Sequence, residues 1–353
     1  MLLPQVWSTA SELYTKIKTH IAPSGAMFSK NLSMKLLFAT LLLAFSSISS
    51  WAWQPTRPIN VLVGFAPGSS NELSFRAIAQ QVEQTTGAKF IVINQPGADG
   101  IVSLNNLNDS TPDGYTINIA SEQNTWVMSD VLYPRETKFK ADSFTHTIGL
   151  SRSPLVIIAP ADSAVTTPRE LVQLLETTTR PVNFAVGSSS HRLAYQYLLE
   201  NTRSRKDLIA AAGYRSPAQA ATDVAAKVVD FGIVSASLAQ SLVASGKIKI
   251  IGICGDRVLS RLPGVPTMQA TVPGLAVYVG VSILLPPNTN QEIQKWYVTH
   301  FGSAVRSEQS RRFFEENLMF VDEQDLTPDG HRRSMMTLRQ KWSPVAQKMD
   351  FKP

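Results

Sequence analysis

The turn Pro67-Gly-Ser-Ser70 combines small residues and hydroxyls where backbone amides can approach a ligand closely. It follows the apolar run Ile59 to Val63 and precedes a helical pattern, so it lies where a helix dipole places roughly half a positive charge. A carboxylate or a phosphate is the ligand that such a turn favours. The alternative is an ordinary strand-to-helix turn, because Ser69 and Glu72 have the spacing of a capping box that satisfies free helix amides.

The elements that position this turn alternate between strand and helix patterns. Short β-branched runs predict strands at 59–63, 90–93, 115–119, 155–159, 182–186, 229–234 and 248–254. Helical patterns lie at 168–177, 191–201 and 290–316, and the first helix is expected to begin near Ser69 with Leu73, Ala77, Ile78 and Val82 on its apolar face. This alternation predicts an α/β fold with mixed, largely parallel sheets and flanking helices.

The length of the chain predicts two lobes. At 353 residues and 44% hydrophobic, the chain exceeds the size of a single core, which stops growing near about 250 to 300 residues. Apolar strands that meet Pro-containing turns at 150–160 and 274–287 are the predicted crossings. Residues 53–155 plus 277–353 would form lobe 1, and residues 156–276 lobe 2. Ligands of open α/β sheets bind outside the carboxyl ends of strands, so loops of both lobes would face one cleft.

The amino-terminal residues predict export. Residues 34–52 have a basic start, an apolar stretch and a Ser50-x-Ala52 ending, which is typical of a signal peptide cleaved near Ala52. The apolar run is short for a bilayer span, which needs about 20 residues. Residues 1–33 form an extension whose translation the sequence leaves open, since Met1, Met27 and Met34 are all candidate starts. Cleavage would leave a periplasmic protein.

Composition argues against several function classes. The formal charge is +6, of which residues 1–52 contribute four lysines and one glutamate, so +3 remains for the mature part. No basic run interleaved with aromatic residues is present, and nucleic-acid binding is not expected. The single cysteine, Cys254, lies in an apolar strand pattern and is expected to fill the core. The five histidines lack the pair spacing of zinc sites, so neither a metal nor a cofactor is expected.

Several stretches resemble the extracytoplasmic solute receptors of the tripartite tricarboxylate transporter, also called the Bug family. They are Arg57-Pro-Ile59, Phe65 to Glu72, Asn94 to Gly100, Thr111 to Thr116, Tyr214 to Ser216, Asp223 to Asp230 and Arg261 to Thr267. Each motif is weak alone, but their order and spacing over nearly the whole mature chain are fairly specific. The resemblance implies a two-lobed, type II-like periplasmic-binding-protein (Venus flytrap) fold. It also implies a receptor without enzymatic activity, which captures a small organic acid and delivers it to membrane permease subunits. A monomer is expected.

The resemblance also implies which residues bind the ligand. In similar receptors a Phe-Ala-Pro-Gly-Gly-Ser-Thr-Asp loop lines the site, and it corresponds here to Phe65, Ala66, Pro67, Gly68, Ser69, Ser70, Asn71 and Glu72. A Gly/Ser loop of the second lobe closes on the ligand, and its best positional match is Gly187, Ser188, Ser189 and Ser190. Arg215 could bind a second carboxylate bidentately. The competing interpretations are helix capping by Ser189 or Ser190 and a solvated Arg215. Asp99 is expected to be a turn residue.

Departures from the family pattern leave the identity of the ligand undetermined. Ser69 replaces a glycine, Glu72 replaces an aspartate, and Lys227-Val-Val-Asp230 replaces Gly-Gln-Val-Asp. Ser69 would be disfavoured if its position required a positive φ, and the spacing to Glu72 makes the glutamate a candidate brace.

Two other functions stay open at this point. The first is a sensory receptor that hands its closed form to a signalling partner. The second is a secreted serine hydrolase that uses a serine of 187–190 with His191, against which the missing Gly-x-Ser-x-Gly spacing argues.

Overall fold

The computed structural model describes residues 53–122, 126–214 and 216–349. The predicted extension 1–33, the predicted signal peptide 34–52 and Arg215 lie outside these described residues. None of the helices within the described ranges has the length and apolar character that a membrane crossing requires.

Nine strands and ten α-helices alternate along the described ranges. The strands are β1 (Ile59–Val63), β2 (Phe90–Asn94), β3 (Thr116–Ser121), β4 (Thr145–Pro160), β5 (Val182–Val186), β6 (Ile209–Gly213), β7 (Phe231–Ser235), β8 (Ile248–Cys254) and β9 (Tyr278–Leu285). The helices are α1 (Ser70–Thr86), α2 (Ile101–Asn108), α3 (Ser129–Leu132), α4 (Pro168–Thr177), α5 (Ser189–Glu200), α6 (Pro217–Ala225), α7 (Ala236–Ala244), α8 (Gln291–Val305), α9 (Glu308–Glu316) and α10 (Pro328–Ala346).

The strands form a mixed sheet with one long strand through its middle. Their order is β2-β1-β3-β9-β4-β7-β5-β6, and β8 also pairs with β4. β4 is 16 residues long; it pairs with β9 as far as Pro154 and with β7 and β8 from Leu155 onward. We call β1, β2, β3, β9 and the first part of β4 half-sheet 1, and β5 to β8 with the last part of β4 half-sheet 2.

The strand directions bring two sets of carboxyl ends together. β9 is antiparallel to both β3 and β4, so the parallel strands β1, β2 and β3 run in the same direction as β4. β7 is antiparallel to β4, so the parallel strands β5, β6 and β7 run in the opposite direction. By the pairing register, the end of β3 lies level with Ser151 and the end of β7 level with Leu155, about 13 Å apart along β4. The loops that follow both sets of strands therefore meet at this junction.

Most of the predicted elements are present, and the exceptions have physical reasons. β6 has the sequence Ile-Ala-Ala-Ala-Gly and a mostly exposed surface, so it lacks the β-branched signal that marks the other strands. The helical pattern at 290–316 is two helices, α8 and α9, separated where Ser307 caps the second. The apolar face of α1 is formed by Phe75, Ile78, Ala79 and Val82, whereas Leu73 is 52% exposed and its predicted core position is wrong.

The predicted core position of Cys254 is confirmed. It is buried on β8, where burial raises the pKa of its thiol to about 12. The lobe boundaries at 155/156 and 276/277 stay a prediction.

Candidate functional site

The first predicted binding loop follows β1 and ends at the amino terminus of α1. Ser69 is the N-cap of α1, and its Oγ accepts from the Glu72 amide at 3.5 Å. The positive φ of this turn belongs to Gly68, at 79°, whereas Ser69 has a φ of −61°. The glycine-to-serine departure at position 69 is therefore free of backbone strain.

Glu72 braces this loop from within. Its Oε2 accepts from the Gly68 amide at 3.2 Å and from Asn94 Nδ2 at 3.0 Å, and its Oε1 accepts from Arg76 Nε at 2.7 Å. The reciprocal bond of the predicted capping box thus comes from Gly68, because the Ser69 amide donates to the Ala66 carbonyl instead. Burial opposes ionisation of the carboxyl, but the bonds from Asn94, Arg76 and Gly68 outweigh it and lower the pKa of Glu72. All these donors converge on the glutamate, which favours a structural role over ligand contact.

Asn71 and Ser70 are polar residues of the first loop at the start of α1. Asn71 is 3% exposed, and its Nδ2 has no hydrogen-bond partner among the described residues. The neighbouring Ser70 is half-buried at the start of α1. Ala66, Pro67 and Gly68 form the exposed tip of the loop, and Phe65 packs against the core of half-sheet 1. A buried donor without a partner is uncommon in folded proteins, and this makes Asn71 a candidate for ligand contact.

The second predicted loop follows β5 and caps α5. Ser188, rather than the predicted Ser189 or Ser190, is the N-cap residue. The His191 imidazole folds back over it: Nδ1 accepts from the Ser188 amide at 3.0 Å and lies 2.6 Å from Ser188 Oγ. Gly187 is tightly packed, since a methyl group there would contact Pro217 at 3.0 Å.

We expect the buried His191 side chain to make the stability of the protein depend on pH. Burial lowers its pKa from 6.5 to about 4, and its Nε2 has no partner within the described ranges. The unfolded chain takes up this proton near pH 6.5 while the folded chain resists it, so stability that is complete above that pH is lost as the pH falls toward 4. The expected slope is at most about 1.4 kcal/mol per pH unit. Urea unfolding at pH 7, 6, 5 and 4 should show a shallower loss for His191→Gln than for the wild type. An equal slope in both proteins would contradict this expectation, and His300→Gln, at a less buried position, is the matched control.

The two loops are joined through the turn that follows β2. A Cβ on Gly64 would overlap the Cα of Gly100, so the first loop lies directly against this turn. Asp99 in the turn accepts from the Ser189 amide at 3.0 Å, from Ser189 Oγ, and from the Tyr133 hydroxyl at 2.9 Å. The turn that follows β2 thus lies against Gly64, just before the first loop, and bonds Ser189 of the second loop.

The Arg192 side chain lies on the side of half-sheet 2. Arg215 is outside the described residues. The Arg192 guanidinium lies against the end of β6, where a methyl group on Gly213 would contact Nη2 at 2.7 Å. Burial and the charge of Asp99 raise the pKa of Tyr133, and the charge of Arg192 opposes this shift. A positive charge therefore acts at the same place as Ser189 and Asp99.

A buried ionic cluster beneath the junction was not predicted. Arg152 on β4 contacts Glu122 at 3.0 Å, Asp322 at 3.0 Å and Asp325 at 2.9 Å. Burial disfavours the charge on Glu122, but the Arg152 charge outweighs it and lowers the pKa of Glu122 to about 2. The signal that could have revealed this cluster is an arginine inside the run Ile148-Gly-Leu-Ser-Arg-Ser-Pro-Leu-Val156, which is otherwise without charge.

The glycine that the family pattern has at position 227 has a conformational explanation. Lys227 has a φ of +62°, which is the left-handed region that favours glycine. Asp230, which ends the same motif, accepts from the Asn183 amide at 2.9 Å and pairs with Arg180. This motif therefore holds the turn before β7 in place rather than contacting the junction.

Two open surface grooves lie elsewhere. One, of about 440 Å³, is lined by α9 and the segment from Met319 to Leu326, and the other, of about 550 Å³, lies between α1 and α9. Neither groove is lined by a residue of the two loops.

Comparisons with known proteins agree with this architecture. A family model described as tripartite tricarboxylate transporter family receptor matches residues 74–348. A UPF0065 protein of Bordetella pertussis is 28% identical over 298 residues, which cover 82% of this chain and 87% of that protein. The solved structure of the periplasmic binding protein BugD has a TM-score of 0.73 at 20% identity and covers 83% of this chain and 98% of its own. MatC from Rhodopseudomonas palustris, solved with bound malate, has a TM-score of 0.73 at 20% identity, covering 83% of this chain and 99% of its own.

The two structural likenesses confirm the predicted periplasmic-binding-protein fold. The family model extends over well over half of the chain; it begins within α1 at residue 74, after the first loop, and includes the second loop and the turn that carries Asp99. By that match, the chain belongs to the tripartite tricarboxylate transporter receptor family.

Proposed function

We propose that this receptor binds a small carboxylate at the junction of the two half-sheets and delivers it to membrane permease subunits of a tripartite transporter. The observation that carries the proposal is the turn after β2, which lies against Gly64 just before the first loop and bonds Ser189 of the second loop. Asn71 Nδ2 in the first loop and His191 Nε2 in the first turn of α5 are buried polar atoms that lack a partner among the described residues. The family membership and the malate bound to MatC support a carboxylate as the ligand class.

The chemistry of the junction suits an anion. The amino ends of α1 and α5 both belong to the loops that meet there, and free amides at such ends favour negative charge. The amide of Asn71 and the hydroxyl of Ser70 are the donors that we assign to the ligand from half-sheet 1. Serine hydroxyls of Ser188 to Ser190 and the charge of Arg192 or Arg215 would act from half-sheet 2.

Ligand capture would work by closure. Residues 53–155 with 277–353 form one proposed lobe and residues 156–276 the other, and they are joined through β4 and the segment before β9. A ligand that contacts both lobes prefers the closed form, and this preference shifts the equilibrium toward it. The protein itself would need no chemical step and act as a periplasmic monomer after cleavage near Ala52. Amino-terminal sequencing of the exported protein tests the cleavage site, and a retained Leu36 would contradict it.

Binding is tested by thermal shift and calorimetry on residues 53–353 with mono-, di- and tricarboxylates, malate among them. A ligand at a hundredfold excess over its dissociation constant should stabilise the protein by about 2.7 kcal/mol. Ser70→Ala is expected to lower the affinity for any acid that binds, with little change in stability. Ser307→Ala, which removes the cap of α9 far from both loops, should lower stability and leave affinity unchanged. If no acid changes the melting temperature or releases heat, carboxylate capture is wrong.

One contact favours a second candidate, the serine hydrolase. Ser188 Oγ lies 2.6 Å from His191 Nδ1, the distance of a nucleophile and its base. However, that nitrogen also accepts from the Ser188 amide, and burial lowers the pKa of His191 to about 4, so the imidazole is a weak base at neutral pH. We therefore assign the contact to helix capping. Labelling of wild type but not of Ser188→Ala by a fluorophosphonate probe would favour the hydrolase instead.

The genes next to this one can distinguish a sensory receptor from a transport receptor. Genes for membrane transport subunits beside this gene would favour uptake, and a gene for a sensor kinase would favour signalling.

A further inference from the structure

The turn after β2 carries a carboxylate across the junction. Asp99 Oδ2 accepts from the backbone amide and hydroxyl of Ser189 and from the hydroxyl of Tyr133. Asp99 lies between β2 and α2 of half-sheet 1, whereas Ser189 is the first residue of α5 in half-sheet 2. The side chain therefore ties the two half-sheets together through charge-assisted hydrogen bonds.

The backbone of this turn is held in an unusual conformation. Gly97, Ala98, Asp99 and Gly100 have φ values of 148°, 45°, 52° and 97°. Ala98 and Asp99 are thus non-glycine residues in the left-handed region, which surrounding contacts must over-determine and which clusters at functional sites. A residue that served only to turn the chain would not need its carboxylate on the far side of the junction.

The Asp99 carboxylate lies where the surrounding groups stabilise negative charge. It lies at the amino end of α5, where free amides and the helix dipole attract negative charge, and the charge of Arg192 acts on the same cluster. Two buried polar groups without partners among the described residues are Asn71 Nδ2 in the first loop and His191 Nε2 in the first turn of α5. The chain thus supplies at this point the chemical group that the proposed ligand would bring.

We infer that Asp99 is an internal carboxylate that competes with the ligand for the amino end of α5 and latches the two half-sheets together until a ligand displaces it. This inference rests on the proposed function for the identity of the competing ligand. Because only the fraction of molecules with Asp99 displaced would be competent to bind, the latch raises the apparent dissociation constant by the inverse of that fraction. Asp99 is then a determinant of affinity and of closure.

The inference is tested with two substitutions that keep the backbone. Asp99→Asn tolerates a left-handed φ and removes the charge, and Asp99→Gly suits the same φ and removes the whole side chain. Asp109→Asn, an exposed carboxylate just after α2, is the matched control. Calorimetry with malate and with adipate gives the affinity, and small-angle scattering without added acid gives the radius of gyration.

Asp99→Gly is expected to bind the acid about tenfold more tightly than wild type, which corresponds to the loss of one charge-assisted contact. The gain in affinity should be smaller for Asp99→Asn, because the amide oxygen of asparagine can still accept a hydrogen bond. Both should have a larger radius of gyration without acid, and Asp109→Asn should match wild type. Tyr133→Phe should tighten binding two- to threefold alone and have no further effect in the Asp99→Gly background, which is the signature of one shared contact.

Unchanged or weaker affinity in Asp99→Gly overturns the competition, whatever the scattering shows. If neither acid binds any of the proteins, the proposed ligand class fails while the latch is still decided by scattering. A larger radius in both Asp99 variants then supports the latch, and an unchanged radius overturns it.

Discussion

Arg152→Met is expected to lower the free energy of unfolding by about 3 to 5 kcal/mol, the cost of removing one partner from a buried ion pair. The guanidinium side chain is only 11% exposed and contacts three carboxylates, so its loss leaves Glu122, Asp322 and Asp325 without their shared counter-charge. Glu122 would be affected most, since it is buried and its pKa is about 2 in the folded protein. Methionine fills a similar volume, which limits the contribution of a cavity to the measured loss.

Urea unfolding of residues 53–353 at pH 7 measures this loss. Arg312→Met is the matched control, because Arg312 pairs with Glu308 along α9 at 73% exposure and such surface pairs contribute less than about 1 kcal/mol. Adding Glu122→Gln to Arg152→Met should recover part of the stability by removing a buried charge that Arg152 no longer balances. Equal losses for Arg152→Met and Arg312→Met would mean that the cluster contributes nothing beyond an ordinary surface pair.

Acid should remove the contribution of Glu122 to the stability of the wild type. The pKa of Glu122 is lowered from 4.5 to about 2 in the folded state, so its stabilisation is complete above pH 4.5 and is lost as the pH falls through 2. His191 contributes earlier, between pH 6.5 and 4, and the two windows can be followed separately.

The sequence predicted those parts of the fold that depend on local patterns. β1, β5, β8 and α4 have the predicted bounds, because β-branched runs and a Pro-initiated amphipathic helix carry their own periodicity. The extent of β4 was not predictable in this way. Its first ten residues include Thr, His, Gly, Ser and Arg, and they are strand because β9 pairs with them.

The candidate site could be predicted as loops but not as contacts. Family-like residues located the turns at 65–72 and 187–190, and capping-box spacing correctly pointed to Glu72 as a brace. The contact from Asp99 to Ser189 joins residues from opposite half-sheets, so it depends on strand directions that no local pattern records. The Arg152 cluster likewise draws its carboxylates from the end of β3 and from the segment after α9.

Asn71→Leu is expected to have opposite effects on stability and on binding. The side-chain amide is buried, and leaving its Nδ2 unbonded costs about 1 to 3 kcal/mol of desolvation. Leucine has a similar shape and no polar atom, so it should raise the free energy of unfolding by about 1 kcal/mol. If the ligand is the partner of this amide, the same change should weaken acid binding by about tenfold to a hundredfold.

Opposite effects of this kind separate a ligand contact from a structural one. Asn105→Leu on α2 is the matched control, because its side chain donates to the Glu136 carbonyl and accepts from the Lys138 amide. It should lower stability and leave affinity unchanged. Stability by urea unfolding and affinity by calorimetry with malate decide the case: a destabilised Asn71→Leu with wild-type affinity would make Asn71 a structural residue and remove the first loop's main donor. A gain in stability with a loss of binding would mean that the chain maintains a polar group at a cost that only its ligand offsets, as expected of a site shaped for function.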